Sequence, residues 1–132
     1  MRDELFVWIS NRLIADATVG FKTQGRISRG HISGIPNPAY PLVTLMRTDG
    51  GYVEGTAPFQ SFEIMITVYS TVNFDEAWEI YDAIKASLDN AYASSAGFGW
   101  RMRQSSTPVE GEETTGEFVY FLSTLWSVGL VG

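Results

Sequence analysis

The chain has 132 residues, room for one sizeable core but not for two independent domains. Nine basic against fifteen acidic residues leave a net charge of −6, which argues against a broad electrostatic grip on nucleic acid. There is no cysteine, so disulfides, thiolate nucleophiles, zinc fingers and cysteine-ligated clusters are excluded. Apolar residues at 45% and charged residues at 18% describe a globular chain rather than a disordered one. Met1-Arg2-Asp3-Glu4 leads into an amphipathic pattern and not into the apolar run of a signal peptide. No stretch approaches the roughly 18 apolar residues of a membrane span, so the expectation is a chain with no membrane partner, made in the cytoplasm.

In chain order, residues 3–17 read as a helix, with Leu5, Ile9 and Leu13 at i, i+4 and i+8, Asp3 as N-cap and Gly20 as the stop. Residues 20–41 are punctuated by Gly20, Gly25, Gly30, Gly34, Pro36, Pro38 and Pro41, and read as a long connection with one short strand around 26–32. Connections of that length in a small domain tend to be functional. Residues 42–48 form a short apolar strand, followed by a loop or arm over 48–60 that carries the turn signal Asp49-Gly50-Gly51. Residues 60–70 alternate, with Phe62, Ile64, Ile66 and Val68 on one face, as in a half-buried antiparallel strand. Asn73 then caps a second helix with Glu76 as its capping-box partner, and Ala77, Ile80, Tyr81, Ile84 and Leu88 form its apolar stripe. Residues 98–106 alternate again, residues 110–117 (EGEETTGE) read as an acidic loop, and residues 118–128 as a final strand apolar on both faces. The expected fold is a single α+β domain over 1–132, of order α-β-β-α-β-β: four antiparallel strands with two helices packed on one face.

Residue patterns for chemistry are sparse. His31 is the single histidine, no Gly-x-Ser-x-Gly elbow accompanies it, and a polar loop contact accounts for it better than a triad. Glu110, Glu112 and Glu113 lack the aspartate-rich spacing of a calcium loop. Gly97-Phe98-Gly99 precedes a strand rather than a helix and so fails as a phosphate loop. Glu76 and Glu79 lie on one helix face, where exposed carboxylates are commoner than catalytic ones. The expectation is therefore no catalytic residue, no metal and no cofactor.

Charge and aromatics say more. Residues 1–50 hold six basic and four acidic side chains, residues 51–132 three basic and eleven acidic. Lys22, Arg26, Arg29 and Arg47 lie in a stretch without one acid, which is either a solvated connection or a segment that docks on an acidic surface such as that of a sister subunit. Four Trp, six Tyr and eight Phe are many rings for one small core to hide. Lys22, Arg26, Arg29, Arg47, Tyr52, Phe59, Phe118, Tyr120 and Trp126 are therefore candidate subunit-interface residues. Glu110, Glu112, Glu113 and Glu117 are expected to face solvent or a lumen.

The N-terminal stretch LFVWISNRLIADATVG, the turn into YPLVTL, the strand FEIMITVYST, the helix FDEAWEIYDAIKASLDN and a final aromatic strand, taken together, resemble the tail terminator (tail completion) proteins of long-tailed bacteriophages. The resemblance implies a structural virion protein, not an enzyme. It would cap the head-proximal end of the tail tube as a hexameric ring, after assembly in the host cytoplasm. Its implied partners are further copies of itself, the tail tube protein and a neck or head completion protein, while DNA passes through without specific binding. A head-side neck or stopper protein and a cellular small-ligand-binding domain are the alternatives.

Overall fold

The computed structural model describes residues 2–48, 61–95, 98–115 and 117–131. Helix α1 (Arg2–Ala15) buries Leu5, Phe6, Ile9 and Leu13. Gly20 does not end the N-terminal helical region. Asp16 starts a second helix, α2 (Ala17–Thr23), by accepting the Thr18 and Val19 amides at 2.9 and 3.0 Å. Gly20 sits inside α2 because the new helix presses back on α1: a Cβ there would run into the Ile14 carbonyl oxygen. Gln24, in the left-handed region at φ 52°, closes α2.

Strand β1 (Ile27–Arg29) and a short 3-10 turn (Ile32–Gly34) follow, then β2 (Leu42–Arg47) and β3 (Ser61–Ser70). Helix α3 (Phe74–Leu88) is capped by Asn73, whose side chain accepts the Glu76 amide at 2.8 Å. The Glu76 carboxylate does not fold back to complete a capping box; it accepts the Ser70 hydroxyl at 2.9 Å. The chain ends with β4 (Tyr92–Ser95), β5 (Phe98–Gln104), β6 (Val109–Thr115) and β7 (Glu117–Val131).

The α+β class holds, but the expected count of four strands and two helices is corrected, among the described residues, to a seven-stranded sheet and three α-helices. The strand order is β1-β2-β3-β7-β5-β4, with β6 also on β7, and β1 runs parallel to β2. The acidic loop of 110–117 is also corrected. Residues 109–115 are a strand paired with 117–123, and Glu110, Glu112 and Thr114 alternate with Gly111 and Glu113 across its pleat. β3 occupies one edge of β7 at 120–129, so β5 and β6 share the other. Four residues, 105–108, stand there opposite two, 124 and 125, which makes β5 and β6 one strand broken by a bulge. The break is stitched by the Ser105 amide on the Leu125 carbonyl (2.8 Å) and the Leu125 amide on the Ser106 hydroxyl (3.0 Å).

All three helices lie on one face of the sheet, closing a core that includes Leu5, Ile9, Ile64, Ile66, Ile80, Ile84, Met102 and Trp126. The opposite face carries a second, smaller cluster of Ile32, Leu42, Tyr69 and Val119, with Ile35, Tyr40 and Phe121 against it. The long connection is thus a cover for the far face of the sheet, and it hides much of the second apolar face of β7 within the same chain. No buried side-chain polar atom among the described residues lacks a partner.

Candidate assembly surface

The basic side chains are half-buried or exposed, yet engaged within the chain. Lys22 forms an ion pair with Glu79 at 3.2 Å, tying α2 to α3. Arg26 donates to the Tyr40 and Pro41 carbonyls at 3.0 and 3.1 Å and holds the end of the connection against β1. The Arg29 guanidinium lies 4.2 Å from the centre of the Phe6 ring. Arg47, on β2, is half-buried and also engaged. Their cationic groups have work inside the fold that residue spacing does not reveal.

The aromatic candidates separate. Trp126 is fully buried, with its indole N–H donated to the Thr124 hydroxyl at 2.9 Å, so its place among the interface residues is corrected to the core. It lies on the helix-facing side of β7, in phase with Leu122 and Val128. Tyr120 is half-buried between Phe74 and Phe118, with ring centres at 4.9 and 5.0 Å. Phe118 is exposed near the hairpin tip. Tyr52 and Phe59, with the 48–60 arm beyond Thr48, lie outside the described residues.

The acidic candidates are spread along a sheet edge. β6 pairs only with β7, which leaves its outer row of backbone donors and acceptors unpaired among the described residues. Glu110 accepts the Trp78 indole N–H at 2.7 Å and latches α3 to the hairpin. Glu112 points from the same face and is exposed. Glu113 points from the other face, toward Tyr69, and its charge is the second cause, after burial, of that phenol's raised pKa. Glu117 stands at the turn into β7, where only its backbone is described. Val109 and Phe118 are exposed near these carboxylates, so the hairpin is both acidic and apolar at its surface.

Two arginines that sequence reasoning did not single out complete the surface. Met102 points into the core, so Arg101 and Arg103 on either side of it point away from the helices. Both are exposed, and neither has a hydrogen-bond or ion-pair partner among the described residues. Their strict alternation with Met102 is the signal that could have found them. Elsewhere, His31 accepts the Ser33 amide at 3.1 Å and caps the 3-10 turn, a structural role. No three His, Asp or Glu residues among those described converge as metal ligands, and no helix is long and apolar enough to cross a membrane.

No family model and no curated protein matches this chain. A solved structure does. A chain in the structure of the virion of a native gene transfer agent particle aligns over 94% of this chain and 92% of its own length, with a TM-score of 0.75 at 14% identity. The fold is shared with a virion-particle chain. The alignment spans nearly all of both chains.

Proposed function

We propose that the protein is a structural component of a phage-like virion, a tail terminator that closes the head-proximal end of the tail tube as a ring. The observation that carries this reading is the end-to-end match in fold to a chain of a gene transfer agent virion. The resemblance of the sequence to tail terminator proteins supports the tail side of the neck. The surface supports assembly over catalysis: an unpaired strand edge, clustered carboxylates, exposed Val109 and Phe118, and arginines directed outward. Six copies, a tube partner below, a neck or head completion partner above and passage of DNA through the middle follow from the same resemblance.

The test is to add the purified protein to growing tail tubes. The expected result is tubes of fixed length, each bearing one ring of density at one end. Density at the portal of DNA-filled heads, with tube length unaffected, would assign the chain to the head side as a stopper. Absence from both would overturn a virion role.

A further inference from the structure

We propose that the acidic tip of the β6–β7 hairpin of one copy docks on the Arg101/Arg103 face of the next. On this proposal the contact between neighbouring copies is carried there and not by residues 22–47. Its closure into a ring rests on the function proposed above; the pairwise contact stands on geometry alone.

The patch is read from the register. Tyr92, Arg101 and Gly129 form one row across the sheet, and Arg103 pairs with Ser127 in the next, all on the face away from the helices. Tyr92 lies across Gly99, whereas a Cβ at Gly129 would meet nothing within 4 Å. Among the described residues, the floor beside the two arginines is Gly129 and Ser127, open to a strand or a turn, with Glu63 next in the Arg103 row. The connection that covers this face lies farther along the strands, over Leu42, Tyr69 and Val119.

The complementary body is the hairpin tip. β7 extends beyond the last residue of β3 at Tyr120, so residues 117–119 pair with β6 alone. Glu113 and exposed Phe118 lie on this projecting ribbon, with Glu112 at its base opposite Tyr120. The ribbon is ill-suited to pair with its own copy: β6 laid antiparallel on β6 would set carboxylate opposite carboxylate, a destabilising pairing. Its recipient must be a different, basic surface. The basic side chains at 22, 26 and 29 are engaged in their own fold; of the other exposed cations, Lys85 stands alone on α3, whereas Arg101 and Arg103 stand together on one sheet face. Every copy carries both the tip and the patch, so the occupant is a second copy and the contact is head-to-tail.

The absence of cysteine allows an unambiguous test by cross-linking. Thr114→Cys places a thiol on the tip and Ser127→Cys one in the patch, both at exposed positions. Under mild oxidation the double variant should give a ladder of disulfide-linked species, and a mixture of the two single variants should give dimers. Each single variant alone should remain monomeric on a non-reducing gel. Arg101→Glu/Arg103→Glu and Glu112→Lys/Glu113→Lys should each lower cross-link yield at least tenfold, and mixing the two reversed proteins should restore it. Melting temperatures within a few degrees of the parent would show that all variants are folded. Cross-linking unaffected by charge reversal, or single-cysteine variants dimerising as well as the mixture, would overturn the contact. A ladder without an upper limit would uphold the contact and count against ring closure. Closed rings on tubes from charge-reversed protein would uphold the ring and overturn the contact.

Discussion

At Gly20 the absence of a side chain decides how α1 and α2 meet. Replacing an interior helical glycine by alanine ordinarily gains about 1 kcal/mol. Here the added carbon collides with the Ile14 backbone, which cannot swing aside. Gly20→Ala is expected to destabilise the protein by about 1–3 kcal/mol, read as a lower urea midpoint. Tyr69 gives a second expectation. Burial, and after it the Glu113 carboxylate, raise its pKa above the ordinary phenol value, against a smaller opposing effect of the Thr44 hydrogen bond. Burial raises Tyr81 as well, with the Gln104 hydrogen bond opposing. A group whose pKa is higher when folded keeps its full contribution below the unfolded pKa, then loses it as pH rises toward the folded value. Stability should therefore hold up to about pH 10 and decline beyond it as the unfolded chain ionises first. Tyr69→Phe should make that decline shallower in a series of urea melts, and remove one late-ionising phenol from the alkaline absorbance titration.

Among the elements, the connection over the outer face depends on one side chain. Arg26 bonds two consecutive carbonyls, at Tyr40 and Pro41, and thereby fixes where residues 31–41 lie over the sheet. Arg26→Ala should cost about 1.5–3 kcal/mol, the range for hydrogen bonds to a charged group. Amide exchange at Ile32 and Leu42 should quicken more than at Ile80 or Ile84. This cover also explains which parts of the fold could be read in advance. β2, β3, β5 and α3 were legible because each has a face turned to one core, and Leu5-Ile9-Leu13 or Phe62-Ile64-Ile66-Val68 repeat at the matching period. β6 was not, because an edge strand with Glu110, Glu112 and Glu113 has no apolar face to announce it. The second cluster was illegible for another reason: Ile32, Ile35 and Tyr40 have no regular spacing, and only the register of Leu42 with Tyr69 brings them together. Among surface candidates, Phe118 was legible as an exposed ring, whereas Trp126 could not be told from it by residue type.

For the molecule as a whole, two clusters on opposite sides of one sheet give the isolated chain its own core, so folding and association should respond differently to solvent. Surface charges more than about 10 Å apart are largely screened at 0.1 M salt, while buried apolar contacts are not. Raising sodium chloride from 0.05 to 0.5 M, roughly a threefold shortening of the screening length, is therefore expected to weaken self-association sharply in sedimentation velocity. The urea midpoint of the monomer should change little.

The mismatch of four residues against two at 105–108 has a geometric meaning for any array the copies build. A bulge bends its strand and adds right-handed twist, so the β6 end of the ribbon is aimed out of the plane set by β5 and β4. In a head-to-tail series each copy hands the next a fixed angular offset, and a series with a fixed offset curves. The curvature of the array is then encoded in a count of residues within one strand, between the Arg103 patch and the hairpin tip. Removing two residues between 105 and 108 would restore even pairing and straighten the ribbon. The expected result is a changed number of copies per closed turn, measured as a shift in assembled mass, with the affinity of each contact retained.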